Sequence, residues 1–150
     1  ARNGEEEVIE ILVDAGADID KAVPNVGTPL LYAARNGNLE SVKLLLSKGA
    51  DINKPVPNVG TPLTYAARNG EMGVVKYLIS KGAKIDHYAQ NVGTQLTRAV
   101  KNDNYEVTKV LLEAGADPYF VAGNSNYAMY YARKAGNQKM IELLKQYEAK

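Results

Sequence analysis

Four glycines constrain this chain more than any other feature. Gly16, Gly49, Gly82 and Gly115 stand 33 residues apart and each is followed by alanine, while Thr28, Thr61 and Thr94 keep the same interval inside Asn-Val-Gly-Thr. A fixed period of this length belongs to an array of stacked units, each too small to bury an apolar face alone. The 150 residues hold about four and a half units, with the half unit first. It shows where Ala1-Arg2-Asn3-Gly4 aligns with Ala34-Arg35-Asn36-Gly37 and Ala67-Arg68-Asn69-Gly70. The expected division is a single repeat domain over residues 1–150. It comprises a half unit at 1–20, full units at 21–53, 54–86 and 87–119, and a terminal capping unit at 120–150.

Each unit reads as two short helices and an extended finger. Thr28-Pro29 and Thr61-Pro62 place an N-capping hydroxyl before a proline at the first helical position, where the missing N–H costs nothing. The first helix should run through Leu30 to Asn36 and Leu63 to Asn69. Gly37, Gly70 and Gly136 should end it in a left-handed conformation, and Asp103 replaces that glycine in the third full unit. The second helix carries apolar residues at helical spacing, Val42, Leu45 and Leu46, then Val75, Leu78 and Ile79. Thr108 makes the third unit a weaker match. The segment from Ala50 to Gly60 has turn formers without helical period and is expected to extend as a finger. Nine helices and almost no sheet are expected.

The pattern Gly-Thr-Pro-Leu-x-Tyr-Ala-Ala-x-x-Gly, an apolar second helix, then Gly-Ala-Asp-Ile-Asn resembles the ankyrin repeat, over essentially the whole chain. The resemblance implies an all-α solenoid of stacked helix-turn-helix units with extended β-turn fingers. It also implies a concave side lined by first helices and finger tips, and a role in binding other proteins without catalysis. Some positions depart from the pattern in register. Val23, Val56, Ala89 and Ala122 stand where the family usually has Asp. Val26, Val59, Val92 and Ser125 replace a glycine that moves one place to Gly27, Gly60 and Gly93. These changes suggest a variant hairpin. Thr94-Gln95 and Tyr127-Ala128 replace the Thr-Pro pair in the last two units.

Little in the chain supports chemistry. His87, the single histidine, aligns with Lys21, Lys54 and Phe120 and so fits a variable finger position. With no cysteine there is no disulfide framework, thiolate metal site or thiol nucleophile. No metal-ligand spacing or phosphate-cradling glycine pattern occurs, so no cofactor is expected. No apolar run of about 18 residues could span a bilayer. Neither signal nor transit character marks the N-terminus, so a cytoplasmic or nuclear location is expected.

Stacking converts the 33-residue interval into ladders of side chains. Arg2, Arg35, Arg68, Lys101 and Lys134 occupy one register of the first helices, and Tyr32, Tyr65, Arg98 and Tyr131 lie one turn earlier on the same face. Asn36 and Asn69 adjoin the first register. Tyrosine and arginine supply rigid contact area and a grip for carboxylates, which points to a partner protein with an acidic or aromatic segment. Two plainer roles compete, ring packing between neighbouring first helices and cations complementing helix dipoles. Finger tips, with Pro57, Asn58, Tyr88 and Gln90, form the second candidate surface, edged by an apolar rim at Val23 and Val56. Tyr130 adds to an aromatic C-terminal unit.

Net charge is +1, which conceals a gradient. Residues 1–20 hold Glu5, Glu6, Glu7, Glu10, Asp14, Asp18 and Asp20 against Arg2, while the rest carries a net +7. Nucleic-acid or other polyanion binding by the Tyr/Arg ladder is therefore an alternative, though the charge is spread without runs. An engineered repeat scaffold is a third reading, against which stands the dissimilarity of the units. The open half unit leads to the expectation of fraying there, a longer parent chain or end-to-end self-association.

Overall fold

The computed structural model describes residues 4–24, 26–87, 93–121 and 127–148. Among them are nine helices: α1 (Gly4–Asp14), α2 (Pro29–Arg35), α3 (Leu39–Ser47), α4 (Pro62–Asn69), α5 (Met72–Ser80), α6 (Gln95–Lys101), α7 (Tyr105–Glu113), α8 (Ala128–Lys134) and α9 (Gln138–Lys145). First helices α2, α4, α6 and α8 pack in one row, each on the next. Second helices α1, α3, α5, α7 and α9 form a row behind them. Glu5, Glu6 and Glu7 occupy the first turn of α1, where the helix dipole favours carboxylates.

Local chemistry sets the helix ends. Thr28 Oγ1 accepts the Leu31 N–H at 3.2 Å, and Thr94 Oγ1 that of Thr97 at 3.1 Å. Thr61 and Thr64 satisfy each other's backbone N–H in a capping box. Gln95 stands where proline precedes α2 and α4. Fully buried, it turns Nε2 toward Thr61 Oγ1 and the Lys84 carbonyl, both at 3.4 Å. The left-handed turns after the first helices occur as expected, at Gly37 (φ +70°), Gly70 (+75°), Gly136 (+66°) and Asp103 (+56°).

The core is continuous along the stack, from Leu30, Val42 and Leu45 through Leu63, Val75 and Leu78 to Leu111, Met129 and Leu144. Thr108 is no weakness in it. Its side chain is completely buried because the hydroxyl donates to the Asn104 carbonyl at 2.8 Å.

Backbone-to-side-chain bonds between finger bases join successive units. Asp51 N–H donates to Asp20 Oδ1 at 3.0 Å, Lys84 N–H to Asn53 Oδ1 at 2.8 Å and Asp117 N–H to Asp86 Oδ2 at 3.2 Å. The finger at 54–60, described end to end, is a tight hairpin. Val56 and Gly60 exchange backbone bonds at 2.9 Å, with Pro57 and left-handed Asn58 (φ +57°) at the central turn positions, a combination suited to a type II turn. The shifted glycine has a steric reason. At Gly60 φ is +110°, and a Cβ would lie 3.1 Å from the Thr64 side chain; Gly27 meets Leu31 in the same way.

The expected apolar rim needs correction. Val56 and Val59 are buried against Leu31 of the preceding unit, with Tyr65 alongside, so finger packs on first helix. Val23 remains 54% exposed. Beyond the bridges Val23–Gly27 and Val56–Gly60, no strand occurs among the described residues.

Candidate functional site

The first-helix row brings the two ladders together. Arg35, at the end of α2, and Arg68, near the end of α4, place their guanidinium carbons 5.9 and 5.5 Å from the Tyr65 ring centroid. Lys101 holds its ammonium 4.5 Å from the Tyr131 ring, and Tyr130 meets that ring edge-on at 5.3 Å. Ring packing, one of the two plainer roles, is thereby partly realised. Tyr65 is half-buried between two cations and Tyr131 half-buried between a cation and a ring, whereas Tyr32 is 49% exposed. Arg35, Arg68, Lys101 and Lys134 are exposed.

Arg98 takes the tyrosine place in α6 and is half-buried. Burial lowers its pKa, Arg68 lowers it further, and the Tyr65 and Tyr131 oxygens oppose the shift. The Lys101 pKa is lowered by burial first, then by Arg98 and Lys134. Neighbouring cations therefore feel one another along the row.

Acid is missing from this row altogether. The sequences of α2, α4, α6 and α8 contain no Asp or Glu, whereas α1, α3, α7 and α9 carry Glu5, Glu6, Glu7, Glu10, Asp14, Glu40, Glu106, Glu113 and Glu142. The ion pairs of Lys43 with Glu40 and of Lys48 with Asp14 belong to the second-helix side. Sequence reasoning that summed charge along the chain passed over this sorting. Reading each first helix by itself would have found it.

Asparagines at the ladder's edge have a different task. Asn69 Nδ2 donates to the Arg35 carbonyl at 2.8 Å, and Asn102 Nδ2 to the Arg68 carbonyl at 3.0 Å, each across a unit boundary. These bonds satisfy carbonyls at helix C-termini, and Asn104 Nδ2 donates a second one to the Arg68 carbonyl at 2.9 Å. Capping of those carbonyls is thus done by amides, and does not require the Arg side chains. Asn36 is exposed at the equivalent place in the first unit. Pro57 and Asn58 are exposed at a finger tip, while Tyr88 and Gln90 lie outside the described residues.

On the opposite side an open cavity of about 370 Å³ lies beside Lys43, Leu46, Ile52, Tyr77 and Lys81. Lys43 and Lys81 approach the Tyr77 ring at 5.9 and 5.6 Å. No group of three or more potential metal-binding side chains occurs among the described residues, and no described helix is long and apolar enough to cross a membrane.

Two-helix units stacked in register, joined by bonds that recur at 31 and 34 residues, define a helical repeat solenoid. Family models agree with that class. One described as ankyrin repeats (many copies) matches residues 1–46 and 30–79, and one described as ankyrin repeats (3 copies) matches 56–122. The chain belongs to the ankyrin repeat family. Ankyrin repeats generally mediate protein–protein interaction and are typically non-catalytic. No curated protein matches the chain.

Proposed function

We propose that the chain is a non-catalytic binding module that holds a partner protein along the first-helix row. Arg35, Arg68, Lys101 and Lys134 contact the partner, Tyr32 and Tyr130 add exposed ring surface, and the finger tip at Pro57 and Asn58 forms the rim. The observation that carries this reading is one exposed cation per unit on a row whose helices contain no acid. Repulsion among like charges gives such an arrangement no value for stability, and complementarity to a partner gives it one. Tyr65 and Tyr131 serve by holding the cations in place.

Site-specific photo-cross-linking tests the surface. A photoreactive residue at position 32 or 35 is expected to give partner adducts, whereas the same group at Lys76 or Lys109, exposed on the second helices, gives none. Adducts only from the second-helix positions would contradict the reading. Nucleic acid as the partner would instead show as binding that survives prior protease treatment of the partner fraction and is lost after nuclease treatment.

A further inference from the structure

Resting on the first-helix row as the binding surface, we propose that its occupant is an extended acidic segment carrying a carboxylate at about every third residue. Packed helices lie about 8–10 Å apart. A polyproline II segment rises about 3.1 Å per residue with three residues per turn, so about three residues span one unit and every third side chain returns to the same side. Arg35, Arg68, Lys101 and Lys134 recur once per unit, at the ends of four first helices packed in sequence. A segment lying across those helices can therefore meet each cation in turn with the same side of its backbone.

The chemistry of the row selects carboxylates. Arg35 and Arg68 present exposed guanidinium groups suited to two parallel hydrogen bonds with a carboxylate, and no Asp or Glu on the same helices competes for them. An arriving anion also relieves the mutual repulsion that Lys101 experiences from Arg98 and Lys134.

Single-stranded nucleic acid fits less well. Such ligands stack their bases on exposed aromatic faces. Here Tyr65 is flanked by Arg35 and Arg68, Tyr131 by Lys101 and Tyr130, and the third unit has Arg98 in place of the ring.

The test uses the full 150-residue chain and fluorescence anisotropy. The probes are three labelled peptides of identical composition with glutamates at every second, third or fourth residue, and an oligothymidylate of matched charge. The peptide with every third residue acidic should bind about tenfold more tightly than the other two. Arg68→Glu with Lys101→Glu should abolish that preference while leaving the helical circular dichroism unchanged. Equal affinity for the three spacings, or tighter binding of the oligothymidylate than of any peptide, would overturn the proposal. These failures are separable from failure of the binding surface itself. Adducts from positions 32 and 35 with a protein that lacks such a segment would reject the acidic register alone, whereas adducts confined to the second helices would reject the surface.

Discussion

Asn69 sits on the surface beside a ladder of cations, and in a linear reading it belongs with them as a contact residue. Its amide is instead committed to the Arg35 carbonyl, 34 residues back. Asn69→Ala should therefore cost about 0.5–1.5 kcal/mol in thermal or urea unfolding while leaving partner binding unchanged. Asp86 offers a pH test. Burial raises its pKa above the ordinary 3.8, the Asp117 N–H opposes the shift and the Asp117 charge adds to it. A raised carboxylate pKa means that the unfolded chain ionises first, so this group's destabilisation grows as pH climbs from 3.8 through the folded value and is complete at neutrality. Asp86 is also left-handed (φ +66°), which asparagine tolerates, and Asn53 does the same linking job one unit earlier with an amide. Asp86→Asn should raise the melting temperature at pH 7, with the gain vanishing below about pH 4. Gly82 tests the backbone reading alone, because no atom lies within 4 Å of an added Cβ and φ is +85°. Gly82→Val should cost at least about 1 kcal/mol, and an unchanged melting temperature would remove the strain argument.

Helices were readable from the chain because their signals are local. Threonine caps, prolines at the first helical position and apolar spacing all act within a few residues, and α2 and α4 end within a residue of the expected places. Fingers were less so. Turn formers marked an extended segment, but whether Val56 faces water depends on Leu31, which comes from the preceding unit. Thr108 read as a weaker match because apolar spacing takes no account of its hydroxyl, which donates to the Asn104 carbonyl four residues back. The cation ladder was visible in the 33-residue register, whereas the amide clamps were not, since each joins residues from two units. Coupling between finger and helix is measurable. Leu31→Ala should cost about 2–5 kcal/mol. Combined with Val59→Ala, the loss should fall short of the sum of the separate losses by at least about 0.5 kcal/mol, whereas full additivity would mean that the two side chains do not support each other.

Nearest-neighbour contacts dominate the molecule, so stability should vary along it. Helix α1 packs mainly on α3 and leaves Val8, Ile11 and Leu12 more than half exposed. Its amides should exchange hydrogen fastest among the helices, with those of α4 and α6, flanked on both sides, the slowest. Charge is likewise sorted along the stack, with Asp or Glu in α1, α3, α7 and α9 and only base in the first-helix row of α2, α4, α6 and α8. The most direct test of that row as the binding surface compares partner affinity for two charge reversals of equal size. Arg35→Glu with Arg68→Glu should abolish binding, and Lys76→Glu with Lys109→Glu on α5 and α7 should leave it within about twofold, both retaining the native melting profile. Equal losses from the two pairs would contradict a partner seated on the first helices.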